Sequence, residues 1–134
     1  MRLWHQDLLP HLPRQQLLGQ HRECCALRGN GWGKPHATVN YVFKHSPMWL
    51  VAYHYQVMNE MYRRGYKYDE NWEDKFFCGY NRMPLEYSME DSHDFHVAYG
   101  RSYQECIYPE HNREYLLECL DNLASKGIFL EVSV

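Results

Sequence analysis

The sequence predicts a mainly α fold, a compact single domain of three principal helices joined by long irregular connections. Apolar residues recur at three- and four-residue spacing in three stretches, which is the period of an amphipathic helix. Each stretch is bracketed by residues that start or stop helices, and Gly and Pro gather between them. At 134 residues the chain is long enough to bury a core without disulfide staples.

Met1 to Pro13, MRLWHQDLLPHLP, reads as a short arm whose two prolines discourage a long helix. Leu3, Trp4, Leu8, Leu9 and Leu12 can anchor it on the body. Pro13 suits the first turn of the first helix, and the Gly29-Asn30-Gly31 cluster suits its end. Leu17, Leu18, His21, Cys24, Cys25 and Arg28 form its core-facing stripe, while Gly19, Arg22, Glu23 and Ala26 lie on a different side. Gly19 costs helix stability relative to alanine, which implies a packing or access reason. Asn30 to Lys44 begins as a turn-rich linker.

Ser46-Pro47 is a strong start for the second helix, an N-cap followed by proline at the first helical position. Its stripe is Leu50, Val51, His54, Val57, Met58, Met61 and Tyr62, and Arg63-Arg64-Gly65 give a basic last turn and a stop. Tyr66 to Tyr108 is acidic, aromatic and broken by Gly79, Pro84 and Gly100, with no helix that can be placed well. Pro109 is expected to open the last helix, Tyr115, Leu116, Cys119, Leu120 and Leu123 to face inward, and Lys126-Gly127 to end it. Ile128 to Val134 is strand-like in composition and either pairs or lies on the surface.

The net charge of −3 hides a division. Residues 1–67 carry nine Lys/Arg against three Asp/Glu, whereas residues 68–134 carry five against fourteen. An anionic partner is therefore expected on the first half. Five cysteines without paired spacing, and a start unlike a signal peptide, point to a reduced, cytoplasmic protein. No apolar run approaches the roughly 20 residues needed to cross a bilayer.

Glu23 is one of three acidic residues in the first half, with Asp7 and Glu60, and it stands beside Arg22. A lone carboxylate among bases, near a free amine, makes a candidate catalytic pair; the alternative is a surface glutamate on a helix. His21, Cys24 and Cys25 are possible metal ligands, but without a CxxC pair they read better as core residues, and no metal is assigned. His93 and His96 with Asp91 and Asp94 read as a solvated acidic loop. No phosphate-binding glycine loop, GxSxG or dinucleotide fingerprint appears, which argues against nucleotide hydrolases, serine hydrolases and Rossmann enzymes.

The start of the chain, the block LLGQHRECCALRGNGWGKPHATVNYVFKHSP and the helix ending in Arg63-Arg64-Gly65 resemble the pyrimidine dimer DNA glycosylases of the phage endonuclease V type. They are closer still to the bacterial branch of that family. The likeness covers residues 1–67, with Arg22-Glu23 its most specific part. It implies a DNA repair enzyme that excises a damaged pyrimidine from double-stranded DNA by base excision and then acts as an abasic-site lyase. The α-amine of Met1 would be the nucleophile, since Arg2 is too bulky for the initiator methionine to be removed. Glu23 would do the proton work, with Arg2, Arg22, His21, Lys34 and His36 as DNA contacts. No cofactor and no membrane partner are implied, and a monomer is expected.

The last helix departs from the phage-type pattern. It reads PEHNREYLLECLDN, with Glu110, Glu114, Glu118 and Asp121 opposed by Arg113, and Ala26 stands where a basic residue is usual. A second reading follows: a non-catalytic helical module that keeps the fold and binds nucleic acid or protein through its basic half.

Overall fold

In a computed structural model the chain is described at residues 3–31, 40–80 and 89–134. Among these residues lie four α-helices, α1 (Arg14–Ala26), α2 (Pro47–Arg63), α3 (Met89–Arg101) and α4 (Arg113–Ser125), with shorter 3-10 turns and no strand. The fold is mainly α, as the sequence predicts.

The arm is anchored by the side chains expected: Leu3, Trp4, Leu8, Leu9 and Leu12 are all buried. Residues Gln6–His11 wind into a 3-10 helix, and the His5 ring caps it by accepting from the Asp7 N–H. Gln6 stitches this arm to the far end of the chain. Its N–H donates to His111 Nδ1 (3.1 Å), its side-chain amide donates to the Ser102 carbonyl (3.1 Å), and its Oε1 accepts from the Ile107 N–H (2.8 Å).

α1 follows Pro13 directly and passes at its C-terminus into a π-type turn, Leu27–Gly31. Leu17, Cys24 and Arg28 of the predicted stripe are buried, Leu18, His21 and Cys25 half-buried, and Gln20 joins them inside. α2 is the central element, packed against both α1 and α3. The Ser46 hydroxyl caps it by accepting from the Met48 N–H, and Pro47 occupies its first turn. From Met48 to Met58 it buries eight side chains, among them Tyr53 and His54. Such apolar burial is worth about 1.5–3 kcal/mol for each large aliphatic residue, so α2 supplies much of the core.

Tyr62 departs from its expected place and is 78 % exposed, on the flank it shares with exposed Asn59. Glu60 is buried instead, bonded to Arg63 and Arg64, and Arg64 also donates to the carbonyls of Leu12 and Pro10 in the arm. Gly65 ends the helix at φ +80°, a conformation costly for any residue with a Cβ.

Two features of the second half differ from expectation. α3 occupies a stretch where no helix could be placed; it carries Asp91, His93, Asp94 and His96, read from sequence as a loop, and buries Phe95 and Ala98. The last helix begins at Arg113 rather than at Pro109, because the Asn112 side chain caps it by accepting from the Tyr115 N–H. Its inward residues are as predicted, with Leu116, Cys119 and Leu123 buried, and Lys126 and Gly127 (φ +80°) end it. Residues 128–134 run on without pairing, Ile128, Leu130 and Val132 resting against the core. No described helix is long and apolar enough to cross a membrane.

Candidate functional site

α1 turns different chemistry in different directions. Arg22 is exposed at the rim of a shallow groove of about 320 Å³ formed with Arg14, Gln15 and Leu18. Gly19 lies one turn before it, and a Cβ there would meet Arg22 Nη2 at 3.7 Å, ordinary contact. Glu23 is half-buried, and its Oε1 is shielded from solvent. The helix thus sets a cation in solvent and a carboxylate at the margin of the core, about 100° apart.

One turn before Glu23 on the same side stands Gln20, 2 % exposed. Its Oε1 accepts from the Trp4 N–H (2.6 Å) and from the Tyr53 hydroxyl (3.0 Å), which also donates to the Trp4 carbonyl (2.6 Å). The Tyr115 hydroxyl donates to the neighbouring Leu3 carbonyl. Side chains from α1, α2 and α4 therefore hold consecutive backbone groups of the arm at Leu3 and Trp4.

Another face of α1 carries a buried polar chain. Arg28 Nη1 donates to the Trp72 carbonyl (2.9 Å) and lies 3.0 Å from His54 Nδ1; Nη2 donates to the carbonyls of Asp74 (2.8 Å) and Phe77 (3.3 Å). The guanidinium also sits 5.1 Å from the Trp72 ring. Gly29 gives room beside it, since a Cβ there would come within 3.1 Å of the Cys78 carbonyl and press it back by a few tenths of an ångström. A guanidinium only donates, so His54 Nδ1 must accept and its proton must sit on Nε2. That Nε2–H donates to His21 Nδ1 (2.8 Å), which leaves the His21 proton on Nε2, 3.7 Å from Cys25 Sγ.

Burial, reinforced by neighbouring cations, lowers the His54 pKa well below the ordinary imidazole value and lowers that of His21 as well. Burial pushes the Cys25 thiol up to about 12. All three side chains are neutral at physiological pH.

His21, Cys25 and His54 bring three metal-ligand atoms within 4.8 Å of one another. The donor set is nonetheless unsuited to a divalent ion. A metal on His54 Nε2 needs the other ring nitrogen to donate to an acceptor, whereas here a cationic donor faces it. A second grouping, His5, Asp7 and Cys106, has His5 Nδ1 engaged by the Asp7 N–H.

Of the predicted site residues, Arg22, Glu23 and His21 share one stretch of α1, with His21 about 200° around the helix from Glu23 and facing His54. Met1, Arg2, Lys34 and His36 lie outside the described residues. The sequence reading passed over Gln20, whose signal was a polar residue three after Leu17 and four before Cys24, on a buried face. It placed Arg28 and His54 in apolar stripes but did not pair them.

The family model described as pyrimidine dimer DNA glycosylase matches residues 1–74. No curated protein and no solved structure matches the chain. The matched span takes in the arm, α1, α2 and the beginning of the loop that Arg28 holds, and it ends before α3 and α4. It covers more than half of the 134 residues, and the chain belongs to the pyrimidine dimer DNA glycosylase family.

Proposed function

We propose that the protein is a DNA repair glycosylase with abasic-site lyase activity, in which the α-amine of Met1 is the nucleophile and Glu23 the acid–base residue. The observation that carries this reading is the tethering of Trp4 to Gln20, on the side of α1 that leads to Glu23, with Tyr53 of α2 and Tyr115 of α4 holding the carbonyls of Trp4 and Leu3. Three residues of extended chain span about 10 Å and one helical turn rises about 5 Å, so an amine at Met1 has the reach to meet that carboxylate.

An α-amine titrates near 7.7–8.0, so about a tenth or more is unprotonated at neutral pH. Its lone pair bonds to C1′ of the sugar while the glycosidic bond breaks, and the damaged base leaves with a proton. The C1′–O4′ bond then breaks as O4′ takes a proton, and the amine nitrogen carries the opened sugar as an iminium. The Glu23 carboxylate stabilises the positive sugar as it forms and next takes the 2′ proton. The electrons of that C–H bond form the new double bond, and the 3′ phosphate departs, cutting the strand. Arg2 and Arg22 hold flanking phosphates, and Lys34, His36 and His21 extend the backbone contact. His21 would do so as a neutral donor. Extruding a nucleotide costs a few kcal/mol, less for a damaged one, which favours lesions over intact pairs.

The test is borohydride trapping of tag-free protein, its N-terminal mass verified, on duplexes holding an abasic site or a pyrimidine dimer. A covalent adduct, abolished when the amine is blocked, is expected. Glu23→Gln should slow strand cleavage by about 10²–10⁴-fold, the usual worth of a positioned acid–base group. Wild-type protein that binds either duplex without forming an adduct would overturn the enzyme reading. It would favour the non-catalytic module, for which the exposed acidic face of α4 at Glu114, Glu118 and Asp121 is the specific support.

A further inference from the structure

We infer that Gln20 is a positioning residue that, with Tyr53, sets the register of the arm at Trp4 against the side of α1 that carries Glu23; the inference rests on the proposed amine chemistry. Gln20 and Tyr53 come from different helices and meet on one residue of the arm. The Gln20 amide oxygen takes the Trp4 N–H, and the Tyr53 hydroxyl shares its single proton between the Trp4 carbonyl and that same oxygen. Both the backbone donor and the backbone acceptor of Trp4 are bonded, so sliding along the helix or rotating about the chain axis would break these bonds.

Both side chains are essentially buried, Gln20 at 2 % and Tyr53 at 0 % exposure. A buried amide earns its place only when partnered. Here its partner is the arm itself, three residues from the terminus and one turn from Glu23. An apolar residue would fill the same volume without the cost of desolvating an amide. The consequence of keeping glutamine is a defined register of the arm against the face that carries the carboxylate. Burial of Trp4 and Leu3 holds the arm down, whereas the Gln20–Tyr53 clamp sets where along α1 it lies.

The experiment compares wild type, Gln20→Met and Tyr53→Phe in single-turnover borohydride trapping on abasic-site DNA at saturating protein. Gln20→Met keeps side-chain length and removes the acceptor, and Tyr53→Phe removes one donor. Binding is followed separately on a duplex with an uncleavable abasic analogue. Gln20→Met should lower the trapping rate constant by about ten- to a hundredfold, the scale expected when a reacting group is displaced by about 1 Å. Its DNA affinity and its pH–rate profile should stay as in wild type, and Tyr53→Phe should show a smaller loss of the same kind. A trapping rate equal to wild type in Gln20→Met overturns the inference. So does a lower trapped fraction at an unchanged rate constant, which means only that less protein is folded. If Gln20→Met does not fold, Tyr53→Phe decides on the same two readouts. Wild-type protein that never traps fails the proposed function itself, an outcome distinct from equal rates in wild type and variant.

Discussion

Between residues 3 and 80 the described interior takes in His5, Gln6, Gln20, Arg28, His54 and Glu60; between residues 89 and 134 it takes in only Ser102 and His111. The second region buries Phe95, Ala98, Leu116, Cys119 and Leu123 from its two helices and turns its charges outward. A buried polar group is tolerated when bonded, and each of these bonds fixes a distance and a direction that apolar packing leaves loose. The family match falls on the region with the polar interior. The difference teaches that this region is built for defined placement, whereas α3 and α4 mostly cover it and lend it anchors such as Tyr115 and His111.

The strongest way to break this comparison is at Arg28. Replacement by Met removes the donor for the carbonyls of Trp72, Asp74 and Phe77 and for His54 Nδ1. Buried acceptors left without donors cost about 1–3 kcal/mol each, so a loss of about 3 kcal/mol or more is expected even after water reaches some of them. Urea denaturation measures it. A change below about 1 kcal/mol, the typical effect of an unremarkable substitution, would show that the polar interior is incidental.

A titration sharpens the same point. Burial, the largest cause in each case, lowers the pKa of His5, His21, His54 and His111, the last to about 3. The folded protein keeps such a ring neutral while the unfolded chain protonates it below about 6.5. Stability is therefore complete above pH 6.5 and falls as the pH drops toward the folded value, by about 1.4 kcal/mol per pH unit for each fully buried ring. His111 and His54 should dominate, since burial lowers them furthest, whereas the Asp7 carboxylate opposes the shift of buried His5. Denaturation midpoints from pH 8 to 4.5 should decline from about pH 6.5, well before ordinary carboxylates titrate. His111→Gln should reduce the slope by about one proton. Stability that stays level down to pH 5 would contradict neutral, buried imidazoles.

Legibility in the sequence divides along similar lines. Ser46-Pro47, Gly65 and Lys126-Gly127 are local signals, and the chain obeys them at each place. α3 was illegible because its apolar contribution is small: Phe95 and Ala98 are buried among acidic and polar neighbours, too few to set a period. The start of α4 was misplaced because Pro109 and Asn112 are both sound helix starters, and the side-chain cap at Asn112 decided between them. In the site, Arg22 and Glu23 were readable as adjacent charges on a helix. The Gln20–Trp4–Tyr53 clamp and the Arg28–His54–His21 chain were not, because hydrogen bonds across 16 to 49 residues have no local signature.

The mildest test addresses the outward charge of the second region. On α4, Glu118 and Asp121 are exposed, and Asp121 lies toward the C-terminal end, where negative charge opposes the helix dipole. Replacing both with amides should leave stability within about 0.5 kcal/mol, as is usual for surface sites. At low salt, however, removing two charges should tighten DNA binding by a few-fold. The gain should fade above about 0.1 M salt, where the screening length falls to about 10 Å. The trapping rate at saturating protein should not move, because α4 reaches the arm through Tyr115 and not through its outer face. Unchanged affinity at every salt concentration would place the acidic face away from bound DNA. A changed rate at saturation would mean that this face acts on the reacting groups, and the division into a placing region and a covering region would have to be redrawn.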